Sequence, residues 1–317
     1  MHFIDRNSVF ALLPIEACMQ VMAEAFSKLH KNISIQYLSK SITLPGENYL
    51  SLMPVFYDEV YFGAKVITVY PQNLGGRLST LQGSVLLFNS QNGEMLACID
   101  AGAITQLRTA AVSALATHML AREDASRAAF IGAGTQARSH LASLRLVRPI
   151  TSICVYDINE GYAQSFAEQA RAKYDIEAAV ACSAAEAVRY ADIVCTMTTS
   201  ATPLLYKADI MPGAHINAIG ACLPNMRELS TDLISVSRFF GDNKESIFCE
   251  SGDFIIPLSE KAIGKGHFLG DLPQILFDNI PGRVSGTDIT VFKSLGIAIE
   301  DIAAAKYVYE QLLLQSA

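Results

Sequence analysis

RAAFIGAG, residues 127–134, followed by Thr135-Gln136-Ala137, is the stretch on which the fold turns. Its apolar run Ala128-Ala129-Phe130-Ile131 reads as a buried strand and breaks at once into Gly132-Ala133-Gly134. An amphipathic segment with Leu141, Leu144 and Leu146 on its apolar side follows. Strand, glycine turn and helix in that order form the context that a dinucleotide fingerprint requires. Gly132 permits the tight turn, Gly134 lets backbone approach a pyrophosphate, and Ala137 lets the helix pack closely on the sheet. The helix N-terminus then turns N–H groups and its positive dipole end toward the phosphates. Alone, such a triplet is a weak signal, and the next strand strengthens it. Ser152-Ile153-Cys154-Val155-Tyr156 is apolar and ends in Asp157, about 25 residues after Gly132. A carboxylate there can accept hydrogen bonds from the adenosine ribose and opposes a 2′-phosphate, so NAD(H) is expected in preference to NADP(H), with NADP(H) the alternative. The plainer alternative is that Asp157 caps the helix begun by Asn159-Glu160.

At about 150 residues per domain, 317 residues imply two domains. The net charge of −7 comes without basic clusters, which argues against a nucleic-acid partner. No apolar run approaches the roughly 18 residues of a membrane span. Met1-His2-Phe3-Ile4-Asp5-Arg6 has no basic n-region before an apolar block, so no signal peptide is expected. Seven cysteines form no C-x-x-C pair, which fits reduced thiols in the cytoplasm. The six histidines are dispersed without zinc-ligand spacing, and no metal is expected.

Residues 8–30 carry apolar positions at helical period (Phe10, Ile15, Met19, Met22, Phe26). Strand-like segments follow at 33–44, 49–54, 61–70, 83–88 and 95–100, with turns at Pro45-Gly46, Gly75-Gly76 and Asn92-Gly93, predicting a mostly antiparallel sheet. A long helix at 104–120 leads into the dinucleotide unit. Beyond Asp157, helices at 160–174 and 184–190 alternate with strands at 177–182, 192–198 and 214–221, the pattern of a doubly wound parallel sheet. The glycines and prolines of 264–282 mark a looser surface region, and a strand at 288–293 runs into a final helix, 296–314. That helix is expected to return to the first domain. The fold class is therefore α/β: a Rossmann unit over 118–295 beside a discontinuous α+β unit of 1–117 and 296–317.

Lys65 lies on a strand whose positions 63, 65, 67 and 69 share one face. Among apolar neighbours an ammonium loses basicity and becomes useful for proton transfer to an amine or imine; the alternative is an edge lysine that snorkels to water. Arg108 sits in a helix of small and apolar residues, where an unpaired charge is costly. Its fork suits capture of a ligand carboxylate, the alternative being a structural ion pair with an acid such as Asp100. Glu228, Glu250 and Asp253 fall in polar breaks and read as caps or surface groups. Thr196, Thr198 and Thr199 follow a strand end that should face the cofactor crevice.

Together these motifs resemble the ornithine cyclodeaminase/mu-crystallin family. The matching segments are GAKVITVYPQN (63–73), LQGSVLLF (81–88), LACIDAGAITQLRTAAVSALAT (96–117), FIGAGTQARSHL (130–141), GAHINAIGACLPNMREL (213–229), ESGD (250–253) and ITVFKSLGIAIEDIAAAKYVYE (289–310). The resemblance spans nearly the whole chain. It implies a Rossmann domain, a substrate and dimerisation domain, homodimers, and hydride chemistry on amino acids or their imines. By motif position Lys65 matches the catalytic lysine, Arg108 the substrate-carboxylate arginine, and Thr109 a cofactor-phosphate contact. Gly132, Gly134, Thr135, Gln136 and Ala137 match the pyrophosphate loop, and Asp157 the ribose acid of the NAD-using members. Met53 is assigned to the substrate, and Thr198, Ile219 and Lys293 to the cofactor.

The cyclodeaminases have an aspartate and a glutamate where this chain has Cys222 and Ser51. The resemblance also implies a second carboxylate-side arginine near 36–40, where this chain has Gln36 and Lys40 but no arginine. The expected activity is thus NAD(P)H-dependent reduction of a small cyclic imine carboxylate. The rivals are an ornithine cyclodeaminase or alanine-dehydrogenase-like deaminating enzyme, and a non-catalytic NAD(P)H-dependent binding protein.

Overall fold

In the computed structural model, which describes residues 1–46, 48–73 and 75–316, Pro14 splits what the apolar spacing presents as one helix. Proline lacks an N–H and disfavours helical geometry in the residue before it. After β1 (His2–Ile4), α1 (Arg6–Leu12) therefore ends at Leu13, and α2 (Ile15–His30) begins beyond Pro14. The chain continues through β2 (Ile35–Gln36), β3 (Lys40–Leu44), β4 (Asn48–Phe56), β5 (Tyr61–Val69), β6 (Leu81–Asn89) and β7 (Met95–Asp100). The sheet runs β1-β7-β6-β5-β4-β2, with β3 also on β4; among the described residues only β1 pairs in parallel. The mostly antiparallel expectation holds, although β1 carries too short a pattern to read.

Period-2 alternation decides which face is covered. Met53, Val55, Gly63, Lys65, Ile67, Val85 and Leu87 are buried, while Leu50, Phe62, Val66, Leu86 and Phe88 between them are only half-buried. The buried face lies under α11 (Ala298–Ser316), which packs on β4, β5, β6 and α2. Gly63 permits this approach, since a Cβ there would stand 2.6 Å from Ile302 Cδ1. The final helix thus returns to the first unit, residues 1–111 with 296–317.

The division falls inside α3 (Ala101–Leu120), between Ala111 and Val112 rather than after Thr117, and the second unit is 112–295. It contains β8 (Arg127–Ile131), α4 (Thr135–Val147), β9 (Ser152–Tyr156), α5 (Glu160–Tyr174), β10 (Glu177–Val180), α6 (Ala184–Val188), β11 (Ile193–Thr196) and β12 (His215–Ala218). Next come α7 (Thr231–Val236), β13 (Arg238–Gly241), α8 (Lys244–Glu250), α9 (Gly252–Ser259), β14 (Phe268–Asp271), α10 (Leu272–Phe277) and β15 (Thr290–Lys293). All eight strands are parallel, in the order β10-β9-β8-β11-β12-β15-β13-β14. This is a doubly wound sheet whose order reverses between β8 and β11.

Two local expectations need correction. Residues 264–282 are not merely loose surface, because they hold β14 and α10, too short for their periodicity to stand out. Leu141 and Leu144 are buried in α4, but Leu146 is 44% exposed. Among the described residues no single helix is long and apolar enough to cross a membrane; the pair α1 and α2, bent by 84°, passes on length and composition only.

Asp192, just before β11, gathers the start of the sheet. It accepts hydrogen bonds from Ser126 N, Arg127 N and the guanidinium groups of Arg122 and Arg127. Burial alone would raise its pKa, but Arg127, the two backbone N–H groups and Arg122 hold it at about 2. A depressed carboxylate contributes its full stability above its ordinary pKa of 3.8 and loses it as pH falls toward 2. Asp192→Asn should therefore cost about 1–3 kcal/mol at pH 7 and flatten the decline of the urea midpoint between pH 4 and 2. An unchanged decline in the variant would show that other carboxylates carry it.

Candidate functional site

In the second unit, the glycine loop has the geometry its sequence implies. Gly132 has φ +99°, and a Cβ there would stand 2.8 Å from Met197 O, so only glycine makes the turn beside the strand-β11 loop. Gly134 is the N-cap of α4, contributes no side-chain cap, and has open space where a Cβ would project. Thr135 is exposed, Gln136 half-buried, and Ala137 buried against the sheet. These residues fit a dinucleotide pyrophosphate. Asp157 closes β9 and braces the loop: Oδ2 accepts from Ala133 N at 2.7 Å, and Oδ1 from Asn159 N at 2.8 Å. The cap of α5 is Asn159, not Asp157. Arg138 donates to the carbonyls of Ala133 and Gly134 and to Gln169.

At the neighbouring strand ends, sequence reasoning missed the organising residue. Glu228 is fully buried, not a cap or surface acid. It accepts hydrogen bonds from Thr196 Oγ1, from Thr198 N and Oγ1, and from Gly220 N, clasping the ends of β11 and β12. Burial raises its pKa and Lys293 opposes the rise. Thr198 is thus held in place by Glu228, and Ile219, 8% exposed, sits beside the clasp. Asp253, also fully buried, accepts from Glu228 N and Leu229 N.

Lys293, expected at the cofactor, is wholly buried at the end of β15, 3.0 Å from Asp253 Oδ2. Desolvation pulls its pKa down, but Asp253, Cys222 and Glu228 outweigh it, leaving the ammonium more basic than usual. Glu250 is the half-buried member of this region, pushed up to about 7 by burial and then by Asp242. Cys222 Sγ donates to Ile219 O at 3.4 Å.

In the first unit, Lys65 and Arg108 lie buried beside two acids. Lys65 is 1% exposed and does not snorkel. It faces Met53 across β4 and Val85 across β6. Its Nζ lies 2.7 Å from Asp301 Oδ2. Arg108, 4% exposed, donates from Nε to Asp301 Oδ1 at 3.0 Å and from Nη1 to Glu300 Oε2 at 2.7 Å. Asp100 is not its partner; that carboxylate accepts from Ala103 N at the start of α3. Gly296, with φ +76°, lets the chain pass this guanidinium, because a Cβ would stand 2.3 Å from Nη1. Thr109 Oγ1 is buried with no hydrogen-bond partner among the described residues, as suits a group awaiting a ligand oxygen. Gln36 Oε1 accepts from Ile299 N, so it caps α11 rather than replacing an arginine, and Lys40 is exposed. The signal for Glu300 and Asp301 was present: an acidic pair inside the apolar run 297–305 is the same anomaly as Arg108 in α3.

Residues 2–316 match the Ornithine cyclodeaminase/mu-crystallin family. The chain belongs to that family. It is 37% identical over 314 residues to a Delta(1)-pyrroline-2-carboxylate reductase of Bacillus cereus, covering 98% of this chain and 96% of the relative. Among solved structures it is similar to Thermococcus litoralis Delta(1)-pyrroline-2-carboxylate reductase in complex with NADH and L-proline, with a TM-score of 0.97, 35% identity and coverage of 100% and 99%. An archaeal alanine dehydrogenase dimer with bound NAD gives a TM-score of 0.93 at 30% identity, covering 99% and 97%.

The Lys293–Asp253 pair has a measurable signature. Removing one member of a buried pair strands the other, at a cost of about 3–5 kcal/mol, whereas replacing both restores much of the loss. Lys293→Met should lower thermal stability sharply, and adding Asp253→Asn should recover part of it. A double variant no better than the single would contradict this coupling.

Proposed function

We propose that this protein is an NADH-dependent reductase of a small cyclic imine carboxylate, of the pyrroline- or piperideine-2-carboxylate kind, and forms the cyclic amino acid. The observation that carries this reading is Lys65, desolvated on the inner face of β5 and joined through Asp301 to Arg108. Similarity to Delta(1)-pyrroline-2-carboxylate reductases over nearly the full length supports the same substrate class. NADH, when bound, supplies the hydride. Hydride adds to the imine carbon, and the nitrogen takes a proton, giving a secondary amine. Lys65 holds that proton: burial lowers its pKa, so it yields the proton more readily near working pH than an exposed lysine. Arg108 engages the substrate carboxylate, its guanidinium plane fixed by Glu300 and Asp301.

Cyclodeamination is disfavoured by Cys222 and Ser51. A thiol donating to Ile219 O and a buried hydroxyl are poor replacements for two carboxylates that take protons from an amine and from water. Imine reduction requires neither. Asp157 supports NADH over NADPH, and Arg138, engaged by the loop carbonyls and Gln169, offers a 2′-phosphate little compensation. Seven cysteines without a disulfide fit a reducing, cytoplasmic setting.

A homodimer is the expected assembly. The sheet face away from α11 carries Leu50, Leu52, Phe62, Val66, Leu86 and Phe88, and the similar archaeal alanine dehydrogenase is a dimer. Light scattering at micromolar concentration should give twice the chain mass; a monomer would refute it.

The decisive assay is NADH oxidation with cyclic imine carboxylates, alongside pyruvate with ammonia, and in reverse with ornithine, proline and alanine. Cyclic imine reduction should greatly outpace ornithine cyclisation. Lys65→Ala should abolish turnover while NADH still binds. Arg108→Ala should chiefly raise KM and cut kcat/KM about a hundredfold or more. NADH should bind more tightly than NADPH, and Asp157→Ser should narrow the gap. Robust proline formation from ornithine with negligible imine reduction would reassign the protein as a cyclodeaminase; cofactor binding without turnover would make it a binding protein.

A further inference from the structure

Four fully or nearly fully buried charges meet in the first unit, and one of them touches both cations. Asp301 Oδ2 is 2.7 Å from Lys65 Nζ, while its Oδ1 accepts from Arg108 Nε at 3.0 Å. Glu300, the residue before Asp301, pairs with Arg108 Nη1 at 2.7 Å. The position of Asp301 is fixed from several directions. Gly63 lets Ile302 lie on β5, Gly296 lets the chain pass the guanidinium, and Gln36 Oε1 takes the N–H of Ile299 at 3.0 Å. The first turn of α11 is thus pinned to β5, α3 and β2, and its aspartate has little freedom to leave either partner.

We propose that Asp301 is a positioning residue that fixes the distance between the Lys65 ammonium and the Arg108 guanidinium and keeps Lys65 protonated. The proposal rests on the imine-reductase reading, because a small cyclic imine carboxylate presents its nitrogen and its carboxylate a fixed distance apart. A reductase of such a molecule needs a proton and a cationic fork at matching separation. One carboxylate shared between the two groups sets that separation directly.

The same carboxylate governs the proton. The charged or titratable groups around Lys65 are Asp301 and Glu300 on α11 and Arg108 on α3, with the buried thiol of Cys18 on α2 behind them. The strand neighbours Met53 and Val85 are not ionisable. Burial lowers the Lys65 pKa most, Asp301 opposes it, and Arg108 adds to the lowering. Without the Asp301 charge, Lys65 would lose its proton at lower pH, and the supply of protonated acid would fail earlier on the alkaline side.

The test combines kinetics with a readout independent of the substrate. In Asp301→Asn, the alkaline limb of kcat/KM for 1-pyrroline-2-carboxylate reduction should move down by about one pH unit or more, with KM raised at least tenfold. Glu300→Gln should raise KM but move the limb less. Asp301→Glu keeps the charge and changes the reach, so the limb should stay near its original pH while kcat/KM falls at least tenfold. In parallel, 13C NMR of labelled lysine, with the Lys65 signal identified by its loss in Lys65→Arg, gives its titration midpoint directly. That midpoint should fall in Asp301→Asn whatever substrate the enzyme uses. No imine turnover by the unaltered protein would sink the functional reading alone. An unchanged Lys65 midpoint in Asp301→Asn would overturn the proposal alone. If Asp301→Asn does not fold, full kcat/KM in Asp301→Glu would overturn it equally.

Discussion

Desolvating an ammonium and a guanidinium together is among the most expensive things a small protein unit can do, and the first unit does it under α11. Asp301, against both cations, and Glu300, against one, offset that cost. Around that cluster the structure is arranged to let the acids arrive. Gly63 thins the sheet, Gly296 clears the guanidinium, and Gln36 receives an α11 N–H. A long helix of modest amphipathicity is thereby held in one rotation, with its acidic pair inward. Local propensity alone would not select that rotation.

The second unit solves a similar problem at the ends of its parallel strands. Glu228 ties the residues after β11 to those after β12, and Asp253 ties Glu228 down in turn while balancing Lys293. Irregular backbone at strand ends must still satisfy its N–H groups, and two buried carboxylates accept from those of Thr198, Gly220, Glu228 and Leu229. Deeper in the same sheet, His215, Asn217, Thr117 and Thr290 share a neutral network, with His215 pushed down to about 3 chiefly by burial. Charge is concentrated at the mouth of the sheet and avoided in its middle.

What could be read from the sequence was what depends on neighbours in the chain. Period-2 alternation put Lys65 on the inner face of β5, and the glycine spacing placed the turn after β8 and Asp157 beside it. Pairings between distant segments were not legible. For Arg108 the structural alternative named only the nearby Asp100, whereas its acids lie almost two hundred residues on, at Glu300 and Asp301. Lys293 was legible as a lysine at a strand end, but the carboxylate of Asp253 that α9 brings against it was not. Glu228 and Asp253 looked like surface acids because they flank loops, and burial of a loop depends on what packs over it. Short elements such as β14 and α10 carry too few residues to show a period.

Discontinuity in the first unit has a consequence for how the chain matures. Its sheet and α3 are made early, but the acids that compensate Lys65 and Arg108 belong to α11, and the Arg108–Asp301 contact spans 193 positions. As the polypeptide leaves the ribosome, residues 112–295 emerge as a unit with its own sheet before α11 is available. During that interval the inner face of β4–β6 is uncovered and apolar, with Lys65 on it and Arg108 on α3 both without these acids. Those charges make premature burial of that face costly, so they act as gatekeepers against wrong partners until the matching helix arrives. The two buried cations of the first unit thus also bear on the order in which its parts can be buried.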